Sequence, residues 1–448
     1  MPDLPRIVVA CLSEPHGASA CTMALLAAMR SRGCEVQHFR SLAAFTPVDY
    51  VTPVTGIASR HIDPWIMPES LCRELFAHSA APVDISVVEA CASDGVLGPG
   101  DDPPGDSTAS WRDVARILNA PVVGVVRSQP AGSFHATPLP RDIDALFIDG
   151  VASREHFDAE KSALESLHGI PVCGGMAETS HAADCAARMR AARRVPSGMI
   201  EDLAKNLLRF TRVDRLLALA SSRPFPELSQ ELFREPGSRR AVRIAFAFDD
   251  CFHCYFPDTL DALEFLGADV SLFSPLRDER LPADTDILYL GCGHPETHAR
   301  ELAENECMRA AIRQHVCTGL RVYAEGGGAA YLCQQIQLAD GAAVPMVGVF
   351  PAAAQVVTRV GGRPRAVTLD TNQPTWMTNL GQTIRGYTHG RWRIEPRGPL
   401  KPCFSSPSAD AAGFVRHHCV GSTVHLNFAA QPRVLKSFFA PHAPSLAI

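Results

Sequence analysis

The sequence predicts two α/β domains joined by a linker at residues 223–240. Short apolar runs rich in β-branched residues alternate with helical stretches in both halves, which is typical of parallel sheets with helical crossovers. Residues 223–240 contain prolines and a glycine within mixed polar sequence, as domain linkers often do. The length of 448 residues suits two or three domains. We therefore assign residues 1–222 and 241–448 to separate domains.

The first domain is predicted from a series of short strands. A buried strand at residues 7–12 precedes a helix at residues 22–32, which has its apolar side chains on one face and ends at Gly33. Glycines and prolines predict a loop at residues 98–105. Further strands are predicted over residues 84–88, 121–126, 145–149 and 170–173.

The second domain is predicted to begin with a new strand–helix series. A strand at residues 242–248 precedes a helix at residues 258–266 and a strand at residues 270–273. Strands at residues 287–290 and 320–324 continue this series, and the C-terminal part is richer in strand, with a last one predicted at residues 422–428.

Composition and charge exclude several classes of protein. Hydrophobic residues make up 46% and charged residues 20%, which is typical of globular chains. The net charge of −6 does not favour nucleic-acid binding. No signal peptide is recognisable, and the longest uncharged run, residues 341–358, contains prolines and predicts strand and loop rather than a membrane span. We expect a cytoplasmic protein whose 15 cysteines are mostly reduced.

Two turns between a strand and a helix are candidate sites. In the first, at residues 11–20, Gly17 and the hydroxyl of Ser19 stand where a phosphate could bind, but no lysine accompanies them, so an ordinary turn is the alternative. The second, at residues 322–332, has the small residues of a nucleophile elbow. Its tip is Gly326, which has no side chain that could attack a substrate.

Several longer segments carry a resemblance to a known family. In the first half they are residues 49–53 (DYVTP), 59–67 (SRHIDPWIM), 87–89 (VVE), 106–109 (DSTA) and 118–122 (LNAPV). In the second half they are residues 255–258 (YFPD), 273–276 (FSPL), 295–298 (PETH), 324–325 (AE), 327–328 (GG), 385–386 (RG) and 424–426 (VHL). With these segments the chain resembles the cobyrinic acid a,c-diamide synthases, the glutamine amidotransferases of cobalamin and related tetrapyrrole biosynthesis.

The resemblance implies a fold and a set of site residues. The first domain would be a P-loop, dethiobiotin-synthetase-like domain that activates a carboxylate with ATP and magnesium. The second would be a class I glutamine-amidotransferase-like domain that releases ammonia through a cysteine–histidine pair, with His425 as the base. A homodimer or a partner subunit is also implied. Nucleotide binding would fall to Gly17, Ser19 and Glu89, and substrate binding to Asp49, Tyr50, Ser107 and Thr108.

The departures from the family pattern lie at the chemistry. The phosphate-loop lysine is replaced by Ala18, and the loop's leading glycine by Cys11. The nucleophilic cysteine of the family's Ala-Glu-Cys-Gly-Gly is Gly326, and the family's Pro-Gly-Gly-Tyr-Pro-Glu is here Gly-Cys-Gly-His-Pro-Glu at residues 291–296. Because the acyl intermediate requires a thiolate, we expect glutaminase activity to be absent and His425 to have no thiol to activate.

Several of the replacements introduce cysteine or histidine. Thiolates and imidazoles bind zinc, copper or iron, so a metal or redox site is one interpretation, and cysteine packing as a small hydrophobe is the other. The candidate ligands are Cys11, Cys91, Cys251, His253, Cys254, Cys292 and His294.

Three functions are consistent with this sequence. The first is a family member without glutaminase activity that binds a tetrapyrrole-like or other small polycarboxylate as a partner, carrier or regulator. The second is an ATP-dependent amide ligase that takes free ammonia or an amine from a partner. The third is a metal- or thiol-based function in the altered pockets. No nucleic-acid or membrane partner is expected.

Overall fold

The computed structural model describes residues 3–12, 18–41, 50–90, 110–130, 139–178, 195, 197–234, 241–357, 364–406 and 409–441. Contacts divide the chain into two compact units between Glu231 and Leu232. No helix within these described ranges combines the length and apolarity needed to cross a bilayer.

The first unit is built on a parallel sheet of seven strands in the order β3-β2-β4-β1-β5-β6-β7. The strands are β1 (Arg6–Cys11), β2 (Val36–Arg40), β3 (Arg60–His61), β4 (Ile85–Ala90), β5 (Val122–Arg127), β6 (Ala145–Val151) and β7 (Val172–Ala177). Its helices are Ala18–Ser31, Thr52–Thr55, Glu69–Ala80, Trp111–Leu118, Arg154–His168, Ser197–Leu208 and Val213–Ala220. The predicted parallel α/β architecture is therefore confirmed.

The buried Arg6, on the central strand β1, links this strand by hydrogen bonds to residues 118–119 and to Pro224 in the last part of the first unit. Arg6 is fully buried, and its guanidinium donates to the carbonyls of Leu118 (2.7 Å), Asn119 (2.9 Å) and Pro224 (2.8 Å). Burial lowers the pKa of Arg6 to about 10. Since Pro224 is one of these partners, the first residues of the predicted linker pack on the first unit.

The second unit is built on a nine-stranded sheet in the order β10-β8-β11-β13-β22-β21-β20-β17-β18. The first five strands in that order run parallel, and the remaining strands extend the sheet in antiparallel fashion. These strands are β8 (Val242–Ala247), β10 (Ala268–Phe273), β11 (Ile287–Leu290), β13 (Arg321–Glu325), β17 (Arg365–Thr371), β18 (Thr383–Thr388), β20 (Lys401–Ser406), β21 (Ala409–Arg416) and β22 (Cys419–Ser422).

Two smaller sheets and several helices complete the second unit. A two-stranded ribbon pairs β9 (Phe252–Cys254) with β12 (Cys292–Gly293) in antiparallel fashion. A four-stranded sheet has the order β15-β14-β16-β19, formed by Ala343–Pro345, Cys333–Gln337, Phe350–Val356 and Trp392–Pro396. The α-helices are Pro257–Phe265, Ala299–Glu304, Glu306–Cys317, Gly327–Leu332 and Pro432–Ser437, and short 3₁₀ helices form at Pro295–His298 and Phe428–Ala430.

The predicted strand at residues 422–428 is wrong. Strand β22 ends at Ser422, and beyond it only an isolated antiparallel bridge joins His425 to Tyr387. The side chain of Asn427 then accepts a hydrogen bond from the N–H of Ala429 and starts a 3₁₀ turn. Such local side-chain bonds compete with strand pairing. The segment that carries His425 is therefore a connection that follows the sheet edge.

Candidate functional site

The sharp turn predicted in the second unit is present. Gly326 lies between β13 and the helix Gly327–Leu332 with φ 54° and ψ −115°, and its N–H donates to the carbonyl of Ser422 at 2.8 Å. A positive φ favours glycine because residues with a Cβ are strained there. A Cβ placed on Gly326 would also lie 2.7 Å from the sulfur of Cys292. The elbow is thus formed without a nucleophile, and a sulfur from another strand occupies the adjacent space.

Cys292 reaches the elbow because the β9–β12 ribbon lies against it. Cys292 pairs directly with Cys254 across this ribbon. The ribbon requires glycine at position 293, because a Cβ there would lie 1.9 Å from the carbonyl oxygen of Cys251. Both thiols line the same cavity. Cys292, which stands where the family pattern has a glycine, therefore lies against Gly326, which stands where that pattern has its cysteine.

A buried carboxylate orients the histidine beside the elbow. Glu325 is fully buried, and its Oε1 lies 2.6 Å from Nδ1 of His425. The carboxylate also accepts hydrogen bonds from the hydroxyls of Tyr289 (3.1 Å) and Tyr323 (2.8 Å) and from the N–H of Leu426 (3.0 Å). Four donors satisfy its two oxygens, so Glu325 is held in one position.

The backbone and an aromatic ring hold His425 in place. Its N–H donates to the carbonyl of Tyr387 at 2.8 Å, and its carbonyl accepts from the N–H of Tyr387 at 3.0 Å. The ring of Phe256 stacks on the imidazole at 4.2 Å between ring centroids. The sulfur of Cys292, an oxygen of Glu325 and a ring nitrogen of His425 all lie within 4.8 Å of one another. A buried thiol, that of Cys292, therefore lies beside His425, although the tip of the elbow carries none.

Burial keeps the thiols of this site protonated. It raises the pKa of Cys292 well above its usual value, and the carboxylate of Glu325 and the neighbouring Cys254 raise it further. Burial and Glu325 likewise raise the pKa of Cys254 to about 12. Because the thiolate is the reactive form of cysteine, both residues are poor nucleophiles at neutral pH.

A cavity of about 100 Å³ opens beside the elbow. Thiol, imidazole, guanidinium and indole groups contribute to its wall, so the cavity offers both soft and polar contacts. It is lined by Cys254, Cys292, Gly293, His294, Gly326, Gly327, His389, Gly390, Arg391, Trp392 and Thr423.

An ion pair closes one side of this cavity. The guanidinium of Arg391 bonds to the carboxylate of Glu296, and Nδ1 of His294 lies 3.3 Å from the same oxygen. Burial raises the pKa of Glu296, but the bonds from His294 and Arg391 outweigh it, and the net shift is downward. The ring of His253 stacks on His294 at 5.8 Å, and burial followed by this neighbour lowers the pKa of His253.

Comparison with known proteins places the chain in a family. Residues 243–432 match the CobB/CobQ-like glutamine amidotransferase domain. The cobyrinate a,c-diamide synthase of Syntrophotalea carbinolica is 30% identical over 97% of this chain and 98% of its own length. The chain belongs to the cobyrinate a,c-diamide synthase family. The hydrogenobyrinate a,c-diamide synthase of Streptomyces coelicolor is 31% identical, with 97% of each chain covered. Among solved structures, PurLQS from Thermotoga maritima matches with 17% identity and a TM-score of 0.34, over 44% of this chain and 98% of its own.

Within the frame of this family, the second unit brings some of the predicted ligands together and separates others. Cys254, Cys292 and His294 share the cavity, and His253 stacks behind His294. Cys251 instead packs in the hydrophobic core, where burial raises the pKa of its thiol. The surroundings of Cys251 therefore fit a cysteine that packs as a small hydrophobic residue.

The first unit places only part of the site that the family implies. Glu89 is the next-to-last residue of strand β4 and pairs with Val9 of β1, the strand that ends at Cys11. Its carboxylate lies 3.5 Å from the Nε2 of the buried His38. Tyr50 lies just before the helix Thr52–Thr55 and is half-buried. The remaining predictions fall outside the described residues: Gly17, the side chain of Ser19, Asp49, Cys91, Ser107 and Thr108.

Sequence reasoning missed the role of Glu325. It directly follows the apolar strand predicted at residues 320–324, and a charged residue at the end of a buried strand beside an elbow is a recognisable signal. Tyr289 and Tyr323 carried no such signal, because aromatic residues within apolar strands usually serve packing alone. Arg391 and His389 lie in a segment whose proximity to the elbow depends on the fold.

Proposed function

We propose that this family member does not release ammonia from glutamine through a thiol at the elbow, and that it binds a tetrapyrrole-like or other polycarboxylate ligand as a partner, carrier or regulator. Gly326 carries the first half of this proposal. A thioester intermediate requires a sulfur at the tip of the turn, and glycine offers none. The space a side chain would enter is occupied by the sulfur of Cys292.

Cys292 is a poor replacement for the missing nucleophile. Cys292 is buried, with 5% of its surface exposed, and both burial and the nearby carboxylate of Glu325 favour the protonated form of its thiol. It also lies on a short strand, whereas the elbow residue is followed directly by the N-terminus of a helix, where a developing thiolate is stabilised. These features support a site in which His425 is held in place beside Glu325 but has no activated thiol as its partner.

The ligand half of the proposal rests on the similarity to relatives across both units. Their printed names give cobyrinate or hydrogenobyrinate as the substrate, and the match covers 97% of this chain. ATP and magnesium, which the family implies, would be held by Gly17, Ser19 and Glu89. Of these groups only the carboxylate of Glu89 has a described position, at the carboxyl end of the central strands, where ligands bind in open α/β sheets.

Glutamine hydrolysis tests the first half of the proposal. We expect glutamate release by the wild-type chain to be about 10³-fold or more below that of a family member with cysteine at the elbow, assayed alongside. The variant Cys292→Ser should behave like wild type, as should Cys333→Ser, which alters a buried cysteine that does not line the cavity. Robust hydrolysis that Cys292→Ser abolishes and Cys333→Ser retains would overturn the proposal.

Ligand binding tests the second half. Titration of the full chain with cobyrinate, followed by its visible absorbance or by calorimetry, should show saturable binding without glutamine. ATP consumption that requires both cobyrinate and ammonium would instead establish an amide ligase that uses free ammonia and would refute the carrier or regulator role. Absence of saturable cobyrinate binding would refute the tetrapyrrole assignment, and a panel of other polycarboxylates then tests the broader class.

A further inference from the structure

We propose that Cys292, Glu325 and His425 form a buried site for one divalent transition-metal ion of the zinc class. They offer a sulfur, a carboxylate oxygen and an imidazole nitrogen, all within 4.8 Å of one another. Zinc bonds of about 2.0–2.3 Å place the donor atoms of a tetrahedral site roughly 3.3–3.8 Å apart. Binding an ion therefore requires movements of about 1 Å: Nδ1 of His425 and Oε1 of Glu325, now 2.6 Å apart, must separate slightly, and the sulfur of Cys292 must approach them.

The charge balance of the site favours a cation. Glu325 is fully buried, and within the described ranges the one basic group at ion-pairing distance from it is the imidazole of His425. Four hydrogen-bond donors already offset part of the cost of burying this carboxylate, and a bound cation would in addition match its charge. A dication bound by this carboxylate and by the thiolate of Cys292 gives a neutral cluster, because two negative charges match two positive ones.

The surroundings already hold two of the three ligands in the manner of metal sites. Ligating carboxylates and histidines are typically fixed by a further layer of hydrogen bonds. Here the hydroxyls of Tyr289 and Tyr323 hold the oxygens of Glu325, and Phe256 stacks on His425. On metal binding, the ion would take the place of the proton between Nδ1 of His425 and Oε1 of Glu325, which would move to Nε2 of the imidazole, and the thiol proton of Cys292 would be released to solvent. The contacts from the tyrosines would remain.

The cavity beside Cys292 supplies a further coordination position. Zinc sites with three protein ligands usually keep a fourth position for water or a bound group, whereas purely structural sites are closed by four side chains. The cavity of about 100 Å³ is large enough for such a water molecule. One sulfur and one nitrogen in the donor set favour zinc or cobalt over magnesium or calcium.

Cobalt provides a direct test, because thiolate-bound cobalt(II) has a near-ultraviolet charge-transfer band. The full chain, stripped with chelator and reductant, is titrated with cobalt(II), and bound zinc is then measured by mass spectrometry after exchange. We expect about one ion per chain and a thiolate band. In Cys292→Ser the band should disappear and bound metal should fall about 10-fold or more, and Glu325→Gln should also weaken binding. Cys333→Ser, the matched buried cysteine, should behave like wild type.

The wild-type titration decides the matter even if the Cys292 variant does not fold. Less than about a tenth of an equivalent of metal, or bound cobalt without a thiolate band, would overturn the site. Equal losses of bound metal in Cys292→Ser and Cys333→Ser would assign the effect to folding and would also overturn the metal site. A disulfide between Cys254 and Cys292 that persists in the reduced preparation would overturn it too. The metal site goes beyond the proposed function. Glutaminase activity in the wild-type chain would refute the proposed function but not the metal site.

Discussion

The contact between Gly326 and Cys292 can be measured as a coupling free energy. In Gly326→Ala, the new Cβ lies 2.7 Å from the sulfur of Cys292 but 3.5 Å from its Cβ, which is an ordinary contact. Alanine at a φ of 54° costs about 1–3 kcal/mol in backbone strain, and the clash with the sulfur costs about 1–3 kcal/mol more. In the Cys292→Ala background only the backbone strain remains. The double variant should therefore lose about 1–3 kcal/mol less stability than the two single variants added together.

The assay must report on the second unit alone, because two units need not unfold together. Hydrogen exchange of peptides from β13 and β14, followed along a urea series by mass spectrometry, gives the free energy of unfolding for that unit. The pair Gly326→Ala and Cys333→Ala is the control cycle and should be additive within about 0.5 kcal/mol. Additivity of the Gly326 and Cys292 substitutions within the same margin would refute the conclusion that this sulfur occupies the space beside the elbow.

Three further predictions concern buried polar groups. Burial lowers the pKa of His315 from 6.5 to about 4. The second unit should therefore keep its full stability above pH 6.5 and lose up to about 3 kcal/mol as the pH falls to 4. In urea unfolding measured across this pH range, His315→Gln should flatten the dependence, and the control His417→Asn, at an exposed histidine, should not. Tyr323→Phe removes a hydrogen bond to the buried Glu325 and should lower the free energy of unfolding by about 1.5–3 kcal/mol in a denaturation experiment. Tyr331→Phe should be nearly neutral, because the Tyr331 hydroxyl is buried without a hydrogen-bond partner among the described residues. Equal losses in the two variants would contradict the hydrogen bonds assigned to Glu325. Arg6→Lys cannot reproduce the three bonds to two separate backbone stretches, residues 118–119 and Pro224, and should cost the first unit about 2–4 kcal/mol. Arg30→Lys, in a partly exposed ion pair, should cost about 1 kcal/mol or less, and a loss below 1 kcal/mol for Arg6→Lys would refute its anchoring role.

Much of the fold could be predicted because its core strands are apolar and β-branched. The predicted strands at residues 7–12, 84–88 and 121–126 correspond to the neighbouring strands β1, β4 and β5 at the centre of the first sheet. Strand β2 (Val36–Arg40) carries no such pattern, since Gln37 and His38 are buried in it through specific partners: Gln37 donates to the carbonyl of Ala58, and His38 bonds to a serine hydroxyl. Such compensation depends on the fold and cannot be read from a periodicity.

The candidate site could be predicted only where one residue decides the chemistry. Glycine at position 326 offers no side-chain nucleophile in any structure, so the expectation drawn from it needs only the sequence. The position of Cys292 does not, because it depends on how the β9–β12 ribbon pairs and on the close approach at Gly293. The same dependence on register separates Cys251, which points into the core, from Cys254, which lines the cavity.

Exchanging a glycine and a cysteine between two sides of one pocket changes what the thiol can do. At the elbow, a sulfur would lie beside the N-terminus of a helix and at the tip of a turn, where the thiolate is stabilised and can reach a substrate. On β12 the sulfur is buried, and the adjacent carboxylate of Glu325 opposes its ionisation. A thiol in such surroundings becomes a thiolate only if a positive charge arrives with it. The oriented pair of His425 and Glu325 therefore suits a bound cation better than an acyl intermediate, and this difference in charge is what the cobalt titration and the glutaminase assay separate.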